Sequence, residues 1–391
     1  MDFDLTYEQQ AMADTALDVA QKYGPDYWYE KDEQQSFPRE FIDEIGELGF
    51  FGLPIPEAYG GVGTGLTEMA LVMEAMCRGG GGGGPALGYL FGALGAVSIL
   101  AHGNEAQKQH YLPLVAQGKL MVAFGLSEPD AGTNSLNIRT FAQRHGDDYV
   151  INGNKWFNTN FEESGAIMLV TRTTKKEAVK NKAEGISMFL VDLPAKGISA
   201  SPTPKHGFNY YKSYDLAIEE LRVSKNCLMG EEGRGFYNML GTLNPERILV
   251  AAGAIGTGRI AIRHAVDYAK ERQVFGQPIG AHQAVQHPLA VAYAKLETAW
   301  LAVIKAAAMH DQGKSAKDVG DLANMAKYLS VEASIEAVHS AMQTLGGAGF
   351  AKEYHIERWW REVQLFRLAP ITQQMTLNYL GEHVLGLPRS Y

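Results

Sequence analysis

Cysteine is nearly missing from this 391-residue sequence: Cys77 and Cys227 are the only two. They lie far apart, with no neighbouring Cys or His at metal-ligand spacing. That argues against a disulfide framework and a metal site, and leaves both as packing thiols. A basic surplus is missing too. Lys and Arg number 35 against 44 Asp and Glu, a formal charge of −9, so no broad footprint for nucleic acid or anionic lipid is expected, although single basic positions can still meet phosphates. The start, Met1-Asp2-Phe3-Asp4-Leu5, lacks the basic and apolar regions of an export signal. No stretch reads as apolar for the length of a membrane span. A cytoplasmic chain is the expectation.

What is present is enough apolar residue, 46% of the chain, for two or three domains with their own cores. Apolar residues recur every three or four positions in Thr6–Tyr23, Phe37–Leu48, Leu66–Cys77 and Gly88–Ala101, which predicts helices. Pro54, Pro56 and Gly60-Gly61 predict a loop among them. The run from Gly79 to Gly84, followed by Pro85, predicts a flexible, non-helical joint, because each glycine forfeits backbone entropy. No Lys-Ser/Thr follows it, so a phosphate cradle is the weaker reading.

Near Met121 the period changes to about two, in Tyr149–Gly153, Ile167–Val170 and Ile186–Val191, then in Asp215–Ile218 and, past a turn, Leu221–Val223. These strands end near Gly230, with no βαβ alternation to suggest a Rossmann fold. Helical patterns return in Ala251–Glu271, Ala284–Gln312, Ala316–Gly346 and Thr372–Val384, which suits a four-helix bundle. The expected fold is α+β, mainly α: a helical domain over 1–120, a middle β-barrel or sheet domain over 121–230, and a helical bundle over 231–391.

The segment Phe124-Gly125-Leu126-Ser127-Glu128-Pro129-Asp130-Ala131-Gly132-Thr133-Asn134 resembles the flavin-contacting loop of the acyl-CoA dehydrogenase family. Four further segments follow in that family's order: Lys155–Asn160, Arg272–Ile279, Gln343–Phe350 and Thr372-Gln373-Gln374. The resemblance implies FAD as cofactor, an acyl-CoA thioester as substrate and an electron-transfer flavoprotein as acceptor. It also implies a homotetramer or homodimer in which FAD is shared between subunits. The FAD contacts it implies are Phe124, Leu126, Ser127, Gly132, Thr133, Phe157, Asn158, Thr159, Arg272, Val274, Phe275, His282, Gln283, Gln343, Gly346, Gly347, Thr372 and Gln374. Hydroxyls and free amides near Ser127 and Thr133 suit flavin oxygens and phosphate, and Arg272 offers a planar fork to a phosphate. Taken singly, Ser127–Pro129 would be a polar turn, Phe157 a core ring and Gly346-Gly347 a helix stop.

The sequence departs from the family at the base. Members carry a Glu near the C-terminus that removes the α-proton and donates its backbone N–H to the thioester. Here that segment is Leu368-Ala369-Pro370-Ile371-Thr372-Gln373-Gln374, and Pro370 supplies neither group. Losing one oxyanion donor costs on the order of 3 kcal/mol. A one-residue slip puts Ala369 there, which keeps the donor but not the base. Some members place their Glu at the position Glu246 matches, within Asn244-Pro245-Glu246-Arg247, so Glu246 is the candidate catalytic base. The same run also reads as a helix start, with Asn244 as cap and Glu246 near the positive helix end, and a third group as base stays open. Thr133, Asn244 and Arg247 are candidate substrate contacts.

Other positions carry weaker expectations. His282 is expected near the adenine, while His206, His287 and His355 read as core or surface imidazoles. Trp359-Trp360 with Arg358 and Arg361 reads as bundle packing, and Tyr210-Tyr211 as a possible substrate contact. Gly88, Gly92, Ala93 and Gly95 suggest either room for an acyl tail or close helix packing. The expected activity is α,β-dehydrogenation of an acyl-CoA. An enoyl-CoA reductase, a flavin-dependent oxidase or monooxygenase, and a non-catalytic acyl-CoA-binding subunit are the alternatives.

Overall fold

A computed structural model of the chain describes residues 4–389. Six helices come first: α1 Tyr7–Lys22, α2 Pro25–Gln34, α3 Arg39–Glu47, α4 Leu66–Met76, α5 Gly83–His102 and α6 Glu105–Ala116. Their starts are written locally. Thr6 and Gln9 form a reciprocal capping box on α1, Asn104 and Gln107 another on α6, and Pro25 opens α2 where its missing N–H costs nothing. The helices α2 and α6 lie outside the four periodic windows.

The glycine run differs from expectation. One turn of π-helix over Cys77–Gly81 carries α4 toward α5, which already begins at Gly83. All six glycines are buried. A Cβ on Gly79 would stand 2.4 Å from Ala20 Cβ, one on Gly82 2.3 Å from Trp359 Cδ1, and one on Gly84 2.5 Å from Trp28 Cε3. The run is therefore a packed joint, in which glycine serves by lacking a side chain; only Gly82, at φ 62°, also needs the left-handed region.

Helix α5 corrects a second expectation. It is long and apolar enough to cross a membrane, with mean hydropathy 1.6 over its best window, yet 72% of that window is buried within the protein. Its apolarity belongs to a core helix wrapped on several sides. The small residues along it are packing sites: a Cβ on Gly88 would meet Tyr211 Oη at 2.4 Å, one on Gly92 Phe51 Cε1 at 2.0 Å, and one on Gly95 Val122 Cβ at 2.7 Å.

Eight strands follow: β1 Val122–Gly125, β2 Phe141–His145, β3 Asp148–Thr159, β4 Ala166–Arg172, β5 Ile186–Asp192, β6 Ile198–Thr203, β7 Ser213–Ser224 and β8 Leu228–Met229. They form one sheet in the order β6-β7-β3-β2-β4-β5-β8, with β1 parallel to β4. Ile167 and Leu169 of β4 face a core with Tyr149, Phe189 and Leu216. Met168 and Val170 face the other way, onto Ile99, Leu112 and Val115 of α5 and α6. Period two with both faces covered explains why β4 reads as a continuous apolar run. The turn expected between Ile218 and Leu221 is instead a bulge inside one strand: the pairing of β7 with β3 shifts register there, with Glu220 at φ 50°.

The last part is helical again: α7 Gly235–Glu271, α8 Gln283–Asp311 and α9 Ala316–Leu345, then the short α10 Ile356–Val363, α11 Leu365–Leu368 and α12 Gln373–Tyr379. One expectation changes. Helix α7 is 37 residues long and starts nine residues before Asn244, so Asn244-Pro245 is helix interior, not helix start; burial of the flanking turns outweighs the hydrogen bond that Pro245 cannot donate. The fourth helical stretch, expected over Thr372–Val384, is there as α12 running on into one turn of π-helix over Leu380–Val384.

Candidate active site

Helices α5 and α7 run antiparallel. Gly253 meets Ala86, where an added Cβ would stand 2.7 Å from Ala86 Cβ, and Gly241 faces His102 Nε2 at the other end. These two contacts bring Leu94 and Glu246 to about the same level of the seam. Glu246 lies four and seven residues before Val250 and Gly253, hence on the α7 face turned to α5. Leu94 and Glu246 are half-buried while Ile248, Leu249 and Ala251 are fully covered, so the seam is open at this level.

The Glu246 carboxyl takes no hydrogen bond or ion pair among the described residues. Loss of hydration pushes its pKa up to about 7, against the pull of neighbouring Arg247. Arg247 itself turns to α9: Nη1 donates to Asn244 Oδ1 at 2.9 Å, and Asn244 Nδ2 donates to Ala316 O at 3.1 Å. Asn244, a candidate substrate contact, is thus spent on joining α7 to α9. Arg247 is buried with its Nε unpartnered, and burial lowers its pKa.

The C-terminal turn comes to the same place. Lys327 Nζ of α9 donates to Ile371 O at 2.9 Å, and Arg247 is close enough to act on the Lys327 charge. Thr372 caps α12 through Met375 N at 3.3 Å, so its hydroxyl has a structural use; Gln374 is exposed. Pro370 therefore lies in the turn that adjoins the α7 segment carrying Glu246 and Arg247.

A second wall is built by β1 and β3. Lys155, 1% exposed, reaches Glu128 Oε1 at 2.8 Å and Leu126 O at 3.1 Å. Glu128 also accepts from Arg139 N at 2.6 Å and Thr140 N at 3.0 Å, and Trp156 N donates to Ser127 O at 2.8 Å. Burial alone would raise the Glu128 pKa, but the Lys155 charge and these donors hold it below the usual value. Burial brings Lys155 down to about 8. This pair clamps Leu126–Glu128 alongside β3.

Where the loop meets β3 the strand bulges. Register with β7 slips between Lys155 and Asn158, Phe157 takes φ 57°, and its ring stays 49% exposed, stacked on Trp156 at 4.4 Å. Period two would put the two rings on opposite faces; the bulge sets them side by side. Asn158 points inward: Nδ2 donates to Tyr214 O at 3.0 Å while Oδ1 has no partner. The Thr159 hydroxyl meets that of Ser213 at 2.9 Å. Phe124, Leu126 and Ser127 are half-buried, and Gly132 and Thr133 exposed, with nothing within 4 Å of a Cβ on Gly132. A clamped loop with open amides beside an exposed aromatic surface fits a flat, polar-edged ring system such as isoalloxazine.

The remaining cofactor candidates gather elsewhere. The hairpin of β9 Gln273–Val274 and β10 Gln277–Pro278 turns at Phe275-Gly276, and Phe275 is 93% exposed. Arg272, Val274, Tyr268, Ile279, Gly346 and Gly347 line a cleft of about 370 Å³. A Cβ on either glycine would meet nothing within 4 Å, so the cleft is open to a ligand. Gln283 and Gln343 are exposed, and His282 has a buried, unpartnered Nε2. None of Phe124–Thr133 or Phe157 lines this cleft.

Other expectations resolve simply. Tyr210 and Tyr211 are fully buried among Trp28 and Phe37, with Tyr210 Oη donating to Glu362 at 2.6 Å; they are core residues and touch no open site. Trp359 packs on Gly82 and His264, beside the Arg358–Glu362 and Arg361–Glu357 pairs. His206 and His287 are exposed, and buried His355 faces Asp26 at 3.3 Å.

Comparison with known proteins decides what these surfaces belong to. The acyl-CoA dehydrogenase N-terminal, middle and C-terminal domain families match residues 6–119, 123–221 and 233–385. The chain belongs to the acyl-CoA dehydrogenase family. Over 386 residues it is 38% identical to acyl-CoA dehydrogenase FadE12 of Mycobacterium tuberculosis, covering 98% of this chain and 97% of that protein. It is 34% identical over 349 residues to the caffeyl-CoA reductase-Etf complex subunit CarC of Acetobacterium woodii, covering 88% and 89%. The structure of butyryl-CoA dehydrogenase from Megasphaera elsdenii superposes with a TM-score of 0.93 at 30% identity, covering 98% of this chain and all of that one. As a member of this family the chain is an FAD-dependent oxidoreductase acting on acyl-CoA thioesters.

Proposed function

We propose that Glu246 is the catalytic base of an acyl-CoA α,β-dehydrogenation whose substrate lies in the α5–α7 seam. The observation that carries this reading is a carboxyl without hydrogen bond or ion pair among the described residues, on the α7 face turned to α5, with its pKa raised to about 7. Such a group accepts a proton at neutral pH without being locked in the charged form. It takes the proton from the α-carbon, and the hydrogen on the β-carbon leaves as hydride. Bound FAD supplies the acceptor of that hydride. Arg247 keeps a positive charge behind Glu246 while bound to Asn244 on the α9 side.

The loop Phe124–Thr133, with Phe157 and Thr159, would hold the ring of FAD, and Thr133 the substrate side of that loop. Arg272, Val274, Phe275, His282, Gln283, Gln343, Gly346 and Gly347 would hold the adenine and diphosphate end, and Thr372 and Gln374 would border the ring near Pro370. Because the two groups occupy separate surfaces, a second copy of the chain sharing its FAD accounts for both; the 93% exposed Phe275 ring supports this. A homotetramer or homodimer, a cytoplasmic location and delivery of electrons to an electron-transfer flavoprotein complete the reading, the last supported by the Etf complex in which CarC takes part.

CarC also favours a second reading, reduction of an enoyl-CoA. A carboxyl titrating near 7 can return the proton it takes, so the same site serves that direction. Anaerobic mixing with an acyl-CoA and, separately, with the matching enoyl-CoA after chemical reduction distinguishes the two. Bleaching of the visible flavin band by acyl-CoA, lost in Glu246→Gln, supports dehydrogenation with this base; an undiminished rate in the variant sinks it.

A further inference from the structure

Lys327 is a cation in an unusual position. It is 1% exposed, forms no ion pair among the described residues, and uses one of its three N–H groups on Ile371 O at 2.9 Å. Burying an ammonium without a touching carboxylate is costly, so a residue kept there is expected to do something its neighbours need. The α9 carboxylate whose charge acts on it, Glu332, is already committed to Arg367 through bonds of 2.7 and 2.6 Å.

These contacts bracket one short stretch. Arg367 anchors the end of α11 to Glu332, the Ala369 amide closes onto Leu365 O at 2.9 Å, and Thr372 caps α12. Between them, Pro370 has no N–H to give. The Lys327 bond is the one hydrogen bond that the described residues place on the backbone of 370–371. The ammonium therefore sets where this turn stands relative to Arg247, and so relative to Glu246 one residue away on α7. Leu368 is 64% exposed and Ala369 to Thr372 are half-buried, so the turn presents an open side next to that segment.

We propose that Lys327 is a positioning residue of the Glu246 site: its bond to the Ile371 carbonyl holds the Ala369–Thr372 turn as the wall that registers the thioester against the Glu246 carboxyl. The proposal rests on the reading that the substrate meets Glu246. A displacement of about 1 Å in such a wall is enough to cost on the order of 10²-fold in rate without loss of binding.

The test uses intact holoenzyme of wild type, Lys327→Met and Lys327→Arg, mixed anaerobically with butyryl-, octanoyl-, isovaleryl- and palmitoyl-CoA while the flavin band is followed. With whichever thioester bleaches wild type, Lys327→Met is expected to bleach at least about tenfold more slowly, with apparent affinity changed less than about threefold. FAD stoichiometry and melting temperature should stay near wild type, and Lys327→Arg should recover most of the rate because the guanidinium keeps donor and charge. The pH profile is the readout that a merely structural role does not move. Burial, then the like charge of Arg247 on α7, bring the Lys327 pKa down to about 8, with Glu332 on α9 opposing; the 369–372 turn contributes no titratable side chain. Loss of the Lys327 charge weakens its bond to the Ile371 carbonyl without removing it, so the wild-type bleaching rate should decline above about pH 8, and Lys327→Arg should hold its rate there. Wild-type speed in Lys327→Met overturns the proposal, as does equal loss in both variants or loss of FAD. Failure of wild type to bleach with any thioester overturns the reading of the site itself, and the proposal with it.

Discussion

Glu246 and Arg247 are neighbours in the chain but leave α7 on different faces: the Glu246 carboxyl, with no hydrogen bond or ion pair among the described residues, lies on the face toward α5, while the Arg247 guanidinium is buried against Asn244 and α9. A helical step of about 100° per residue separates them. The Arg247 charge still pulls the Glu246 pKa down, but loss of hydration outweighs that pull, and no ion pair joins the two among the described residues.

Replacing Glu246 by Gln should slow flavin bleaching by about 10²–10⁴-fold, the range for a removed general base. FAD content should not change, because no hydrogen bond or ion pair among the described residues ties that carboxyl to the segments proposed to hold the cofactor. Stopped-flow rates beside the 450 nm absorbance of purified protein check both.

The same residue predicts opposite pH trends for rate and stability. In the dehydrogenation direction kcat/KM should climb as pH rises through about 7, where the Glu246 carboxyl loses its proton. For stability the folded pKa lies above the unfolded one near 4.5, so the charged form is disfavoured by folding. No cost is felt below about pH 4.5, it grows between 4.5 and 7, and above 7 it is complete, on the order of 1–3 kcal/mol. Glu246→Gln should therefore melt higher than wild type at pH 8 and equally at pH 4.5. Identical melting differences at both pH values would remove desolvation as the cause.

Breaking the Lys155–Glu128 pair leaves one buried charge without its partner. Lys155→Met should cost about 3–5 kcal/mol of stability and lower FAD retention, since Leu126–Glu128 is released from β3. Urea titrations of apo and holo protein separate the two effects.

Gly84→Ala places a methyl 2.5 Å from the buried Trp28 ring, where overpacking costs typically about 1–3 kcal/mol. A flexible joint would instead be stabilised by alanine, by roughly 0.4–1 kcal/mol. The sign of the shift in denaturation midpoint decides between the two.

Phe275→Asp exchanges an exposed hairpin ring for a charge. If a second copy covers that ring, the variant should lose FAD and elute at a smaller mass in light scattering; retained mass with full FAD would count against subunit sharing.

Much of this protein is legible in the sequence because its signals are local. The apolar spacing of three or four in Thr6–Tyr23 and Leu66–Cys77, period two in β4 and β5, and the ordered segments from Phe124 to Gln374 depend on residues close together, and they led to the helical–sheet–helical order and to FAD. Other readings failed where neighbours distant in sequence decide. Glycines 79–84 look like a flexible joint until Trp28, Ala20 and Trp359 close on them, Asn244-Pro245 looks like a helix start until α9 covers it, and the Asp215–Val223 stretch looks like two strands until β3 pairs with all of it.

The sequence by itself determined the ordered segments that carry the family resemblance, a proline at 370 where that resemblance implies a glutamate, and a glutamate at 246 that is the candidate to stand in for it. Only the tertiary structure decided that Glu246 faces α5 with no partner among the described residues, that desolvation there lifts its pKa, and that Lys327 brings the Pro370 turn beside Arg247. Burial, hydration and the meeting of elements far apart in the chain are properties of the packed molecule, and no local pattern encodes them.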